Sequence, residues 1–346
     1  MNRKQRIIHK MIELALDKFL RDVEENPKRA IRNLVDLGSY FAHTGFHQDF
    51  LRVAAQMLRN EDSLYYELTA RTGHAVAHSI IKRFGINLGL NSWTVGAEMI
   101  RQYAEQEGYG LPWVITFDLR EAAAQPLSRP ELGEIVSWGE ERGIYSFIFL
   151  VGAQHAQLAA ALATAADHQE SACFIFAQPE IIGEEVAGKA LAVGNVALVL
   201  KLDPADSQPT LAAARLLQKQ SCLYGVYCEY DDENIPALIS QATLSTISAT
   251  QAGFVFFLRR QLNCAENRRR FADFLETGKS ANKHAFFLID FYSDLAYIDQ
   301  RIGVNACFLA IGSDGSAALD SLENRQPELN VRSQALDSIL RQAMSG

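Results

Sequence analysis

Lys201, Asp203, Glu229 and Asp290 each lie at or just past the end of a short apolar run, where a side chain can reach a ligand while its strand stays buried. Lys201 and Asp203 share parity, so both are expected on one side of a strand. A lysine among three carboxylates can act as an amine nucleophile or general base if burial lowers its pKa. The same groups, joined by Arg259 or Arg260, can equally form an internal salt-bridge network, which is the commoner fate of such charges and the reading the sequence favours. Asp118, Gln154 and Gln178 occupy comparable positions after other runs. Two histidine pairs, His43 with His47 and His74 with His78, have the four-residue spacing that puts two rings on one helix face. Neither pair encloses a glutamate in the zinc-protease order and no Glu-x-x-His unit accompanies them, so core or surface histidines are expected rather than a metal site.

The elements that must position these residues fall into two regimes. Before Pro112 the pattern is helical: Ile7, Ile8, Met11, Ile12, Ala15 and Phe19 recur at three- and four-residue spacing. Pro27 opens a second helix, and further helices are expected over 50–58, 64–81 (interrupted near Gly73) and 95–107. After Pro112, runs at 113–117, 146–151, 173–177, 196–202, 223–228, 254–258 and 286–289 alternate with amphipathic segments. Nearly continuous hydrophobic strands between helices predict a parallel sheet covered by helices. The stretch is shorter than the ~250 residues of a closed eightfold barrel, so a partial β/α barrel of six or seven strands is expected. Residues 307–311 and 317–319, around the turn Gly312-Ser313-Asp314-Gly315, read as a β-hairpin, followed by a last helix over 332–343. The organisation expected is therefore a helical region, 1–110, a partial barrel, 111–300, and a hairpin with helix, 301–346.

Composition narrows the function. With 33 basic and 41 acidic residues the net charge is −8, which disfavours a dedicated nucleic-acid binder. Five cysteines, Cys173, Cys222, Cys228, Cys264 and Cys307, form no C-x-x-C pair and read as reduced thiols of a cytoplasmic protein. No apolar run is long enough to span a membrane, and the start carries charges throughout, unlike a signal peptide. No phosphate loop, dinucleotide fingerprint or nucleophile elbow is present.

From Gly108 onward the order of landmarks resembles a radical SAM protein of the subgroup with a helical N-terminal region and a SPASM-like C-terminal extension. Tyr109-Gly110-Leu111-Pro112-Trp113 is similar to the segment leading into that family's first strand, and Asn195–Asp203 to its fourth. Asp290-Phe291-Tyr292-Ser293-Asp294 is similar to its DF-x-x-D segment, and 308–315 to its C-terminal hairpin. The resemblance implies a 4Fe–4S cluster held by C-x-x-x-C-x-x-C after the first strand, but this sequence reads Asp118-Leu119-Arg120-Glu121-Ala122-Ala123-Ala124-Gln125 there. The family's cofactor-contacting G-G-E-P is matched by Val151-Gly152-Ala153-Gln154, which lacks the acid. Its Ser-x-Glu is matched by Lys201 and Asp203, and its auxiliary-cluster cysteines by Arg301 and Asp320. The expectation is a degenerate, cluster-less radical SAM-like pseudoenzyme with no cofactor. It would bind a protein partner, either an active radical SAM enzyme or that enzyme's peptide or protein substrate, as part of a homo- or hetero-oligomer. Tyr65, Tyr66, Trp93 and Trp138 are candidate contact residues, though each is more often core. The alternatives are a repurposed barrel enzyme using Lys201, Asp203, Glu229 and Asp290, and a cluster-free binder of S-adenosylmethionine or a nucleoside.

Overall fold

The computed structural model describes residues 3–41, 52, 54–260, 262–280, 284–302 and 308–345. His43, His47 and Cys307 lie outside the described residues, so the first of the two expected histidine pairs has no counterpart among them. The chain divides into two units, Met1–Ile86 with Leu200–Phe291, and Asn87–Val199 with Tyr292–Gly346.

In the second unit, strands β1 (Val114–Asp118), β2 (Ser146–Gly152) and β3 (Ala172–Ala177) pair in parallel, and β4 (Val196–Lys201) follows β3. β8 (Phe308–Gly312) lies parallel to β1 on its other side, then β9 (Ser316–Leu319) and β10 (Gln326–Asn330) add antiparallel edges. Every residue of β1, β2 and β8 is buried, as continuous apolar runs between helical layers require. Helices Arg129–Arg142, His155–Asp167 and Glu184–Val193 connect successive strands. Asn195 fixes one of these connections by donating from Nδ2 to the carbonyls of Ala165, His168 and Ser171. Ile86–Gly96 is a π-helical stretch, in which Thr94 Oγ1 reaches back to the Gly89 carbonyl. Its last residue, Gly96, meets Gly143 so closely that a Cβ there would fall 2.1 Å from the Gly143 oxygen.

In the first unit, helices Arg3–Glu25 and Pro27–Phe41 pack on each other and on Leu64–Ala75. Phe19, Leu20, Val23 and Ala30 form one core cluster, and Val35, Leu58, Tyr65, Tyr66 and Leu68 another. The interruption expected at Gly73 is displaced. Gly73 stays helical, packed so closely on Val23 that a Cβ would fall 2.7 Å from its Cγ1, and the break comes at Val76-Ala77 before helix His78–Gly85. Strands β5 (Tyr224–Tyr230), β6 (Phe254–Arg259) and β7 (Phe287–Asp290) pair in parallel, with helix Ala265–Ser280 between the last two.

All seven expected barrel strands are present to within two residues at either end, and so is the hairpin of β8 and β9. The fold class is the α/β one expected, of the partial-barrel kind. β10 was not expected, since Gln-Pro-Glu-Leu-Asn is neither apolar nor alternating.

Candidate functional site

Parallel sheets present their working groups where strands end. At the end of β1, Asp118 is buried, 3% exposed, although it is ionisable. It survives there by holding two guanidinium groups. Arg120 donates from Nε and Nη2 at 2.8 and 3.0 Å, and Arg325, just before β10, donates from Nη1 at 2.9 Å. Burial alone would push the Asp118 carboxyl up, but the hydrogen bonds and charge of Arg120, with those of Arg325, hold it below the ordinary value. Arg325 also lies 3.6 Å from Glu121.

The segment after Asp118 is fastened from the C-terminal side. Ser313 donates its hydroxyl to the Glu121 carbonyl at 2.7 Å and accepts the Leu127 N–H on its own carbonyl at 2.8 Å. Arg332 donates to the Gln125 carbonyl at 2.8 Å and to Glu131 at 2.6 Å. The bonds from Arg332 and Ser128 set the Glu131 carboxyl at about 2, and Glu131 in turn accepts the Ser128 N–H at the start of its helix. At the end of β2, Gly152 has φ +56°, and the Arg120 side chain lies over it, its Cγ 3.4 Å from where a Cβ would stand. Gln154 precedes helix His155–Asp167 and makes no side-chain cap.

The cysteine-ligated cluster implied by the resemblance does not fit this donor set. Residues 118–128 contain no thiol, and their one buried carboxylate is committed to two arginines. Nor does the strand end at Gly152 offer an acid to a cofactor amino group; Arg120 covers it instead.

The four residues of the enzyme alternative are not brought together. Lys201 ends β4 and pairs with Glu229 of β5 at 2.8 Å. Asp203 lies beyond the strand in an exposed turn, accepting the Ala205 N–H, so it does not share the strand face expected for it. Asp290 is buried and accepts the Tyr230 hydroxyl at 2.7 Å. Glu229 and Tyr230 are consecutive on β5, so their side chains point to opposite faces of the sheet. Phe271, from the helix after β6, stacks on Tyr230 at 4.1 Å and marks the Asp290 face as the helix-covered one. Two separate pairs result.

Of the four histidines with metal-ligand spacing, His43 and His47 lie outside the described residues. His74 and His78 do not share one helix face as expected, because the helix breaks between them. His78 Nε2 lies 3.1 Å from the Gly73 carbonyl and 3.8 Å from Glu24. Among the described residues no group of three or more His, Cys, Asp or Glu is placed to hold a metal. Tyr65 and Tyr66 belong to the core, whereas Trp138 donates to Asp337 at 3.2 Å and has Arg142 stacked on its ring. Gln178 starts a single 3₁₀ turn and donates its N–H to the Gly152 carbonyl.

The sequence signal for the Asp118 cluster was half present: Arg120 is two residues from Asp118, but Arg325 is 207 residues away and carried no pattern.

No protein-family profile matches the sequence, and no curated protein matches it. Among solved structures, SuiB from Streptococcus suis is similar with a TM-score of 0.52 at 11% identity, over 94% of this chain and 81% of SuiB. A tryptophan synthase alpha chain from Legionella pneumophila subsp. pneumophila matches at 13% identity over 65% of this chain and 86% of its own, TM-score 0.38. TsrM, a radical S-adenosylmethionine methyltransferase from Kitasatospora setae with cobalamin and a 4Fe–4S cluster bound, matches at 14% identity over 45% of this chain and 38% of its own, TM-score 0.29. The SuiB likeness is one of fold alone.

Proposed function

We propose that the protein is a non-catalytic radical SAM-like pseudoenzyme that acts by binding a protein partner, either an active radical SAM enzyme or that enzyme's peptide or protein substrate. The observation that carries this reading is the end of β1, where Asp118 is locked between Arg120 and Arg325. An ion cluster that satisfies itself has no group left over to bind a cluster or shift electrons, while the fold around it is kept. A retained fold without its chemistry leaves surfaces as the functional part.

The test is association. Mixing the purified chain with each protein encoded beside it, followed by size-exclusion chromatography with light scattering, is expected to give a defined complex with one of them. Failure to associate with any, at concentrations near ~50 μM where even weak interfaces populate, would overturn the reading.

A further inference from the structure

We infer that the carboxyl end of β6 and the helix that follows it form a docking surface for an acidic segment of a protein partner; this rests on the binding role proposed above. The chain has a net charge of −8, yet Arg259, Arg260, Arg268, Arg269 and Arg270 fall within twelve residues in which Glu266 is the one acid. β6 ends at Arg259 and helix Ala265–Ser280 begins six residues later, so the run begins at the strand's carboxyl end and continues into the start of that helix. Arg268 closes the first turn, where the helix dipole opposes a cation, while Arg269 and Arg270 lie in the second turn, beyond most of that effect.

Part of the local charge is already answered. Asp232 accepts the Asn263 N–H at 2.8 Å, the Cys264 N–H at 3.1 Å and Asn267 Nδ2 at 3.1 Å, which caps the helix and sets a carboxylate beside Arg268. Arg268 also donates to the Leu262 carbonyl at 3.2 Å. Arg260, Arg269 and Arg270 remain exposed, and among the described residues none of their side chains has an acceptor. Their platform is fixed, because Phe271 and Leu275 of the same helix are 3% and 6% exposed. Asp273 and Glu276 follow on the exposed side of the helix, nearer its C-terminal end.

The chemistry that suits three free guanidiniums is a set of carboxylates, which each fork can grip with two parallel hydrogen bonds. A nucleic acid is disfavoured: the overall charge repels a long polyanion, and residues 259–270 contain no aromatic side chain on which a base could stack. A short Asp/Glu-rich stretch of a protein meets the patch without engaging the rest of the surface.

The experiment is fluorescence anisotropy of the full chain with a labelled peptide of about ten glutamates at ~50 and ~150 mM salt, beside an oligothymidylate of equal charge. Saturable binding that weakens with salt, and falls on the order of tenfold in R269E/R270E, is expected. The melting temperature of that variant, whose changes are on exposed side chains, should stay within about 2 °C of the parent. Absence of binding at low salt, an unchanged affinity in the variant, or equal binding of the oligothymidylate would overturn the inference. A partner found by chromatography that binds R269E/R270E as well as the parent refutes this surface and leaves the binding role standing; the lack of any partner refutes the binding role itself.

Discussion

Replacing Asp118 with alanine puts a number on the cluster at the end of β1. The carboxylate is 4% exposed by side chain and accepts three charge-assisted hydrogen bonds. Its loss leaves Arg325, 14% exposed, with the Leu322 carbonyl, the exposed Glu121 at 3.6 Å and the field of Asp314, whereas Arg120, 30% exposed, can turn to water. Breaking a buried pair from one side costs about 3–5 kcal/mol, and Arg120's exposure sets the expectation near the lower end, about 3 kcal/mol. For a domain-sized unit this is a fall of roughly 6–12 °C in melting temperature. The assay is thermal and urea unfolding at pH 7, repeated at high salt, which should change the difference little because the cluster is buried. Asp118 titrates below its unfolded value of about 3.9, so its contribution is present above that pH and is lost as pH falls through the folded value. The triple change D118L/R120M/R325M removes all the charges together and is expected within about 1 kcal/mol of the parent. A cost under about 1 kcal/mol for D118A would refute the reasoning, since two guanidiniums would then not depend on that carboxylate.

Asp337 accepts from Tyr103 and Tyr109 hydroxyls at 2.8 and 2.6 Å, Trp138 and Arg142, tying the last helix to two others; D337A should cost about 2–3 kcal/mol and shift Trp138 fluorescence to the red. Burial, with Asp320 nearby, pushes the Asp299 carboxyl up to about 7, and among the described residues its Oδ1 has no hydrogen-bond partner. The folded chain thus keeps a proton that the unfolded chain releases near 4, so stability declines as pH rises between about 4 and 7. D299N should flatten that decline, gaining on the order of 5 °C at pH 8 and little at pH 5; equal effects at both pH values would refute the assignment. Burial pushes the thiols of Cys222 and Cys228 up to about 11 and about 12 and raises Cys173 as well, whereas Cys264 is exposed. Mass spectrometry of a timed alkylation at pH 8 should find Cys264 labelled well before those three.

The barrel strands were legible because Val-Ile-Thr-Phe or Ser-Phe-Ile-Phe-Leu-Val can be satisfied only between two covered faces. β10 was not, because Pro327 and its polar neighbours sit at a sheet edge where apolar pattern is not demanded. The π-helical stretch Ile86–Gly96 escaped for a related reason: its wider turn has no 3.6-residue period to read. Gly73 misled because a glycine within a helix signals either a break or a close neighbour, and only the fold shows Val23 against it. Four-residue spacing, shared by His43 and His47 and by His74 and His78, marks one face only where a helix is unbroken, and Val76-Ala77 breaks it between the second two. Site residues were legible one strand at a time. Asp118 and Lys201 were recognised at strand ends, but whether Glu229 and Asp290 share a face depends on register across β5, β6 and β7. Arg325 became visible only once β8 was placed beside β1.

Anaerobic reconstitution with iron and sulfide, followed by an absorption spectrum and an iron count, tests the central claim most directly. Expected is a folded protein with no absorption at ~400 nm and iron close to zero per chain, because residues 118–128, which follow the first strand, contain no thiol. About four irons per chain, with the cluster spectrum, would contradict it.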